Sequence, residues 1–292
     1  MSAPRYYPPS LPRISLSRKG GELQLFTEIP TTQPSTHLTV TERSIVQQPK
    51  VSVVMLMSPG REAMQCRALR AIKEQTYQNI EVVVFDTSHL RGKTIGYMRN
   101  VANAEATGEL IAHADDDDIS HPRRLEEQVA LLLASGKQCV GYRELLFWDT
   151  RPLAHECSYD EREGGCPVCA DEDQRQHEQR GEAWLYRNPD PRWAAGASFL
   201  MRRELWERQP FPDAPHEDQR WWCTPLVSRN CMGVSALSGL DWPSRNGDHP
   251  RMICQIHGDS TEKITLKVRQ NNPDVWKRVP EFDSYCERTM NL

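Results

Sequence analysis

Apolar runs alternate with helical periodicities through the middle of the chain. The runs VSVVMLM at 51–57 and IEVVVFD at 80–86 predict two strands, each buried on both faces. Apolar residues recur at helical spacing over 61–75 and again over 94–106, which predicts two helices. A third strand is predicted at 109–114, where the sequence reads ELIAHA. This alternation is typical of an α/β fold whose parallel strands end at a ligand-binding edge.

The pattern changes on either side of this region. Residues 1–48 are rich in proline, serine and threonine without a sustained period, which predicts an extended segment. A helix is predicted at 122–133 and a strand at 137–148. The apolar positions of this helix are Leu125, Val129, Leu132 and Leu133. The predicted organisation is an extended segment at 1–48, a central domain at 49–262 with an insertion at 150–192, and a partly helical tail at 263–292.

Composition narrows the class of protein. The chain has 36 Lys plus Arg against 40 Asp plus Glu, a net charge of -4, so no overall basic field indicates binding to nucleic acid or to a membrane surface. No apolar stretch approaches the roughly 20 residues of a membrane helix, and the first residues lack the charged-then-apolar pattern expected of a signal peptide. We therefore expect a cytoplasmic protein without integral membrane contact. Nine cysteines, an odd number in a long chain, favour free thiols over disulfides.

Four consecutive aspartates follow the third predicted strand: Asp115, Asp116, Asp117 and Asp118. Adjacent carboxylates repel one another unless a cation neutralises them. In an extended chain Asp115 and Asp117 point to one side and Asp116 to the other. Two carboxylates on one side suit Mg²⁺ or Mn²⁺. The alternative is a solvated acidic turn that caps the next helix.

Several motifs occur in the order found in one enzyme family. They are PKVSVVMLMSPGREAMQCRALRAIKEQTYQNIEVVVFDTS, ATGELIAHADDDDISHPRRLEEQVALL, AGASFLMRREL with HEDQRWW, and RMICQIHGDSTEK. Together they resemble the catalytic domain of family 2 glycosyltransferases, closely over 49–135 and in patches over 194–262. The resemblance implies the GT-A fold, a single Rossmann-like, mostly parallel sheet flanked by helices. It also implies transfer of a sugar from a nucleotide-diphosphate sugar, with a UDP sugar as the expected donor, a divalent metal ion, and inversion at the anomeric carbon.

The resemblance also implies roles for residues on the donor side. Asp86 would accept a hydrogen bond from the base of the donor, and Asp115 and Asp116 would lie beside its ribose and diphosphate. Arg99 would contact a phosphate, the alternative being an exposed helix arginine. Two departures from the family pattern affect the nucleobase pocket: the loop sequence SPGRE and the shortened DTS at 86–88.

The metal ion would be held by Asp117 and His257, according to the same resemblance. An imidazole nitrogen with carboxylate oxygens suits Mn²⁺, so the expected cofactor is Mn²⁺ or Mg²⁺. The alternative for His257 is an ordinary surface histidine.

An acidic motif, HEDQRWW at 216–222, matches the place of the catalytic base in the family. Inverting transfer needs a carboxylate that takes the proton of the acceptor hydroxyl as its oxygen attacks. Asp218 is assigned this role, with Glu217 as the second choice. The alternative is that both acids only complement the dipole of a helix in its first turn. Trp221 and Trp222 are expected to divide between core packing and a wall on which a sugar stacks.

The predicted insertion contains possible ligands for a second metal: His155, Cys157, Cys166, Cys169 and His177. CPVC is a thiolate pair with two-residue spacing, which can hold a structural zinc ion together with nearby Cys or His residues. Free thiols in a flexible insertion are the other interpretation. We expect the insertion to form a lid that recognises the acceptor.

The resulting hypothesis is a metal-dependent, inverting glycosyltransferase that acts on a hydroxyl of a soluble acceptor. A glycan, a protein or a modified nucleobase in DNA all fit as acceptors, and nucleic acid would take part only in that role. One alternative is a nucleotidyltransferase on a similar sheet. Another is a catalytically inactive, zinc-bearing interaction protein.

Overall fold

The computed structural model describes residues 13–19, 22–28, 48–150, 181–236, 250–257 and 269–290. The chain forms two compact units, residues 1–47 and 48–292. The first unit contains an antiparallel pair of strands, β1 (Arg13–Lys19) and β2 (Glu22–Glu28). The prediction of an extended segment missed this pair. The sequence does contain a pattern that indicates this pair of strands. Apolar and polar residues alternate in ISLS and in LQLF, on either side of two glycines, which is typical of a hairpin.

The second unit is built from strands and helices that largely match those predicted. The strands are β3 (Val51–Met57), β4 (Ile80–Asp86), β5 (Leu110–Asp115), β6 (Ile119–Ser120), β7 (Cys139–Asp149), β8 (Glu182–Arg187), β9 (Leu200–Arg202), β10 (Cys231–Ser235), β11 (Met252–Ile256) and β12 (Trp276–Arg278). The helices are α1 (Glu62–Lys73), α2 (Ile95–Glu105), α3 (Arg124–Ser135), α4 (Arg203–Arg208), α5 (Glu217–Trp222), α6 (Pro225–Asn230) and α7 (Asp283–Met290).

All ten of these strands belong to one mixed sheet. Its main order is β12-β8-β7-β9-β5-β3-β4, with β10 and β11 beside β7 and β6 beside β11. The pairings give seven strands one direction (β3, β4, β5, β7, β10, β11 and β12) and the remaining three, β6, β8 and β9, the other. The predicted α/β fold with a mostly parallel sheet is therefore confirmed. Since β9 runs antiparallel between β5 and β7, the carboxyl ends of β5 and β7 lie at the same edge.

Strand β4 is less buried than its sequence predicted. It pairs only with β3 in the described sheet, and Val82 and Val84 are 40% and 44% exposed. The prediction of burial on both faces was wrong because a run of valines does not distinguish a central strand from an edge strand. In α3, by contrast, the predicted stripe is largely correct: Leu125, Val129 and Leu132 are buried, and only Leu133 is exposed, at 39%.

Two segments predicted as peripheral contribute to the sheet and to the core. β8, within the predicted insertion, lies between β7 and β12. The predicted tail supplies β12 and α7, and Val279, Phe282, Cys286 and Met290 pack with Leu146 and Ile253 in one buried cluster. The expected helix in this tail is present, but the segment completes the domain and is not an appendage to it.

The described residues bear on two expectations from composition, which concern membrane helices and free cysteines. None of the helices found there is both long enough and apolar enough to cross a membrane. The cysteines in the same part of the chain are all free thiols: Cys66, Cys139, Cys223, Cys231, Cys254 and Cys286.

Glu81, on β4, ties three neighbouring segments together near the amino-terminal ends of the parallel strands. One carboxylate oxygen accepts hydrogen bonds from Ser52 Oγ at 2.5 Å and from the backbone N–H groups of Thr107 and Gly108 at 2.5 and 3.1 Å. The other oxygen accepts from Thr107 Oγ1 at 2.6 Å and pairs with Lys50 Nζ at 2.5 Å. Burial opposes the charged form, but the hydrogen bonds from Lys50, Ser52 and Thr107 outweigh it and hold the pKa of Glu81 well below its usual range.

We predict that this carboxylate makes part of the folding free energy dependent on pH. Its contribution is complete above the pKa of about 4.3 of a glutamate in the unfolded chain, and it is lost as the pH falls below that value towards the folded-state pKa. Glu81→Gln should lower the unfolding free energy at neutral pH by about 1–3 kcal/mol and flatten its dependence on pH below about 4.3. Urea unfolding across this range measures both effects. Glu109→Gln, at a nearby exposed position, is the control, and equal curves for both variants would contradict the prediction.

Candidate active site

The carboxyl ends of the parallel strands bring the predicted residues to one edge of the sheet. In register, Leu56 lies opposite Asp115 and Met57 opposite Asp86. β11 runs parallel to β7 and ends at Ile256, which delivers His257 to the same edge. Residues that are far apart in sequence therefore meet here because of strand order.

Three of the four consecutive aspartates converge. One carboxylate oxygen from each of Asp115, Asp117 and Asp118 lies within 4.8 Å of the others. Asp118, which had no predicted role, joins the cluster because the chain turns after β5. The backbone N–H of Gln255 donates to Asp118 Oδ1 at 3.1 Å. Burial, followed by the charges of Asp117 and Asp115, raises the pKa of Asp118 well above its ordinary value.

Asp117 lies between a histidine and an arginine. His257 Nε2 is 2.9 Å from Asp117 Oδ2, and Arg61 Nη1 donates to the same oxygen at 3.2 Å. His257 is 7% exposed, so it is not the surface histidine of the alternative interpretation. The crowded carboxylate oxygens and the adjacent imidazole are ligands that suit Mn²⁺ or Mg²⁺, and the Asp cluster could hold such an ion.

Asp116 points back towards the loop between β3 and α1. Its Oδ2 accepts hydrogen bonds from the backbone N–H of Ser58 at 2.7 Å and from Gln65 Nε2 at 3.1 Å, while its Oδ1 accepts from Arg61 at 3.1 Å. The residue is 3% exposed. Its predicted role in donor binding is not supported by this placement, because its oxygens are occupied in anchoring the loop. The loop sequence SPGRE differs from the family pattern. It supplies two hydrogen-bond donors to the aspartate run, the backbone N–H of Ser58 and the side chain of Arg61.

Arg99, on α2, connects the aspartate run to helix α5. Its Nη2 is 3.4 Å from Asp115 Oδ1, its Nε is 3.4 Å from Glu217 Oε1, and its guanidinium packs 5.9 Å from the ring of Phe211. Because Arg99 is 6% exposed, the alternative of an exposed helix arginine is wrong. The third nitrogen of the guanidinium group, Nη1, lies 2.9 Å from His113 Nδ1, a contact that no sequence motif indicated.

The two acids assigned to base catalysis open helix α5, as predicted. Asp218 is half-buried, and its Oδ2 accepts from the backbone N–H of Gly196 at 3.1 Å. Its Oδ1 accepts from the backbone N–H of Gln219 at 2.7 Å. Glu217 is 6% exposed and faces Arg99. Just before the helix, His216 has a φ of 54°, a left-handed conformation uncommon for a residue other than glycine.

Gly196 is required by the close approach of the residues around Asp218. A Cβ at this position would lie 2.7 Å from Asp218 Cβ and 2.9 Å from both Asp218 Oδ2 and Arg99 Nη1. The missing side chain therefore makes room for the acid and the buried arginine. Only glycine, which has no side chain, allows the backbone at this position to approach Asp218 and Arg99 so closely.

We predict that Gly196→Ala impairs the site more than it impairs the fold. The added methyl group must displace Asp218 or Arg99, and a shift of about 1 Å at a reacting group can cost roughly a hundredfold in rate. The expected result is a fall of that order in kcat for the sugar transfer that the family resemblance implies, with a modest loss in melting temperature. Gly136→Ala is a suitable control for stability, because Gly136 has a positive φ of 65° but open space around its Cβ position. Full activity in Gly196→Ala would contradict the close packing described here.

The two tryptophans of α5 have different surroundings. Trp221 is fully buried and packs against Phe199 and Phe211, with ring centroids 5.2 and 4.6 Å apart. Trp222 is half-buried, and its Nε1 donates to the carbonyl oxygen of Arg192 at 2.9 Å. Trp221 therefore belongs to the core, and the prediction of a stacking wall is left to Trp222.

Asp86 lies at the end of β4 and is exposed. Its oxygens accept hydrogen bonds from Ser88, at 2.8 Å from the backbone N–H and 3.0 Å from Oγ. These bonds, the backbone bond first, lower the pKa of Asp86 and keep it ionised as an acceptor. The exposure leaves it accessible to a ligand at the same edge as Asp115.

The remaining predicted site residues lie outside the described part of the chain. These are the possible zinc ligands His155, Cys157, Cys166, Cys169 and His177. The zinc site and the acceptor lid stay predictions.

Similarity to known proteins was found at the level of sequence and of structure. No family model matches the chain. The protein described as "Putative glycosyltransferase EpsE" from Bacillus subtilis (strain 168) is 32% identical over 108 residues, which is 29% of this chain and 38% of that protein. The chain therefore aligns with well under half of the length of this relative.

Solved structures with some similarity include two transferases. A mannosyltransferase from Pyrobaculum calidifontis, in complex with GDP-Man and Mn²⁺, is 16% identical with a TM-score of 0.44, covering 85% of this chain and 71% of that one. TarS from S. aureus, in complex with UDP, is 14% identical with a TM-score of 0.43, covering 71% and 60%. Because both scores are below 0.5, the fold rests on the strand order described above. In sequence, the chain is similar to a glycosyltransferase, which confirms the resemblance predicted from its motifs and fits family 2.

Proposed function

We propose that this chain is a metal-dependent, inverting glycosyltransferase. The observation that carries the proposal is the convergence of Asp115, Asp117, Asp118 and His257 at one edge of the sheet, linked through Arg99 to the helix that begins with Glu217 and Asp218. An acidic turn that only caps a helix would not need the imidazole that follows β11 or a buried arginine from α2. The sequence similarity to EpsE supports the same class of reaction.

The donor would bind on the side of the aspartate run. Asp117 and Asp118, with His257 beside them, would hold Mn²⁺ or Mg²⁺, and Asp115 would face the ribose and diphosphate. When bound, the ion would neutralise the charge that develops on the departing diphosphate. Asp86, exposed at the end of β4, would accept a hydrogen bond from an N–H group of the base.

The acceptor would bind on the side of α5. Asp218 would remove the proton of the acceptor hydroxyl while the hydroxyl oxygen forms a bond to the anomeric carbon. The bond from that carbon to the diphosphate breaks on the opposite face, which inverts the configuration. Two backbone N–H groups hold the carboxylate, and its half-exposed position supports access by an acceptor. Glu217 is less suited to this step because it is buried against Arg99.

The expected donor is a UDP sugar, with GDP and dTDP sugars as alternatives. A glycan, a protein or a modified nucleobase in DNA would each present the hydroxyl that Asp218 needs. The expected location is the cytoplasm.

Incubation with a panel of nucleotide sugars and Mn²⁺ tests the proposal. The panel should include UDP-GlcNAc and GDP-mannose, with release of nucleoside diphosphate and of pyrophosphate measured separately. Slow hydrolysis of one donor to its nucleoside diphosphate, lost on addition of a chelator, is the expected result. Release of pyrophosphate would instead support a nucleotidyltransferase. No turnover of any donor, together with zinc found in the purified protein, would support an inactive interaction protein.

A further inference from the structure

His113 is a buried residue of β5 to which the proposed function gives no role. It is 2% exposed, and its ring lies against those of Phe199 and Phe211, with centroids 6.2 and 5.3 Å away. An imidazole in such surroundings needs a partner for each ring nitrogen. Both partners come from α2: Arg99 at Nδ1, at 2.9 Å, and Asn103 Oδ1 at Nε2, at 3.1 Å.

The partners determine which nitrogen carries the proton. An arginine has only N–H donors, so Nδ1 of His113 must accept from Arg99. The ring proton is then on Nε2 and is donated to Asn103 Oδ1. Burial and the nearby charge of Arg99 lower the pKa of His113 well below its ordinary value, in agreement with a neutral ring. Asn103 is fully buried, so water does not compete for its hydrogen bond with His113.

Arg99 is thereby held by a neutral acceptor as well as by acids. Its Nη1 points to His113, its Nη2 to Asp115 and its Nε to Glu217. The guanidinium group is planar with its N–H groups in a fixed fork, so fixing one nitrogen sets the direction of the others. The bond to His113 is the shortest of the three, at 2.9 Å against 3.4 Å for each acid.

The same region holds the backbone that contacts Asp218. Arg99 packs closely against Gly196, where an added Cβ would lie 2.9 Å from its Nη1, and the N–H of Gly196 donates to Asp218 Oδ2 at 3.1 Å. The arginine that His113 binds therefore borders both Asp115 on the donor side and the residues around Asp218 on the acceptor side.

We propose that His113 is a positioning residue, which orients Arg99 so that Asp115 on the donor side and the acids of α5 on the acceptor side keep a fixed relative placement. This inference rests on the proposed function, since it assigns the two sides from the proposed reaction. His113 contacts neither substrate. Its effect on the reaction passes through the guanidinium group of Arg99.

A packing role alone would give a different result from a positioning role. If the ring only fills the space beside Phe199 and Phe211, another ring of similar size should preserve activity in proportion to the folded fraction. If Nδ1 orients Arg99, activity should depend on an acceptor at that position. An asparagine side chain places its Oδ1 the same number of bonds from the backbone as histidine places Nδ1.

The experiment compares His113→Phe, which keeps a ring and removes the acceptor, with His113→Asn, which keeps an acceptor and removes the ring. Donor hydrolysis with Mn²⁺ gives kcat and KM, calorimetry gives the affinity for the nucleoside diphosphate with Mn²⁺, and thermal unfolding gives stability. His113→Phe should lower kcat at least about tenfold, with little change in KM or in nucleotide affinity. His113→Asn should recover most of kcat although it is no more stable than His113→Phe. Should His113→Phe fail to fold, Asn103→Leu takes its place, and kcat should again fall.

Gln75→Leu is the control for the loss of a buried polar side chain. Gln75 is 5% exposed and bonds to the backbone of Ala71 and His121, away from Arg99. It should lower the melting temperature without changing kcat of the folded protein. Equal kcat values for the wild type and His113→Phe, or a loss in His113→Asn as large as in His113→Phe, would overturn the inference and leave the proposed function intact. A wild type that turns over no donor would overturn the proposed function and this inference with it.

Discussion

Asp117→Asn is expected to remove metal-dependent activity and to weaken donor binding at the same time. Asp117 is the carboxylate that the structure places next to His257, at 2.9 Å, within the Asp cluster. Replacing it by a neutral amide removes a charge that attracts a divalent cation and leaves the other acids as weaker ligands. We expect Mn²⁺ affinity to fall at least about tenfold and kcat/KM about a hundredfold or more.

Binding measurements distinguish the loss of a metal ligand from the general effect of removing one negative charge from the protein. Titration with Mn²⁺ followed by electron paramagnetic resonance gives the metal affinity, and calorimetry with UDP in the presence of Mn²⁺ gives the nucleotide affinity. Asp274→Asn, at an exposed position in the described carboxyl-terminal segment, removes one negative charge away from the Asp cluster and serves as the control. Unchanged Mn²⁺ affinity in Asp117→Asn would rule out Asp117 as a ligand.

Asp218→Asn is expected to stop transfer while leaving donor binding intact. An asparagine keeps one acceptor oxygen, so it can accept from Gly196 or from Gln219 but not from both, and the start of α5 should keep its conformation with a small loss of stability. It cannot take a proton from a hydroxyl, and removing a general base costs about a hundredfold to ten-thousandfold in rate. The affinity for UDP with Mn²⁺ should stay within about twofold of the wild type.

Glu217→Gln provides the matching comparison one residue earlier. Because Glu217 faces Arg99, its replacement should disturb the placement of that arginine and lower stability, with a smaller effect on the rate than Asp218→Asn. The reverse ranking would make Glu217 the base, and wild-type activity in Asp218→Asn would exclude the assignment made here.

Local patterns in the sequence were sufficient for most of the central elements. β3, β5 and α2 begin and end close to the predicted residues because continuous apolar runs and helical spacing are local properties of the chain. The exposure of β4 was not predictable in this way, because it depends on which strand lies at the edge of the sheet. The position of β8 was missed for a similar reason, since its neighbours β7 and β12 are brought together by the fold.

In the candidate site, too, local sequence patterns predicted some arrangements and missed those that depend on the tertiary fold. Motif order placed Asp117 near His257 and put Asp218 at the start of a helix, and the structure has both arrangements. The place of Asp118 in the cluster was not predicted, however, because it depends on the turn that the backbone makes where β5 ends. The contacts of Arg99 with His113 and Glu217 join three separate elements, and no local pattern carries that information.

The position of Arg61 has a consequence for the order in which the protein folds and binds a metal ion. Its guanidinium group faces Asp116 and Asp117 from the loop after β3, so two acids of the run are balanced by a charge that belongs to the polypeptide itself. In small zinc domains, by contrast, the ion supplies the folding free energy and the apo chain is unfolded. If the aspartate cluster binds a metal ion as proposed, we expect this counter-ion to let the chain reach its native state before the ion binds, and the incoming cation to displace Arg61 from Asp117.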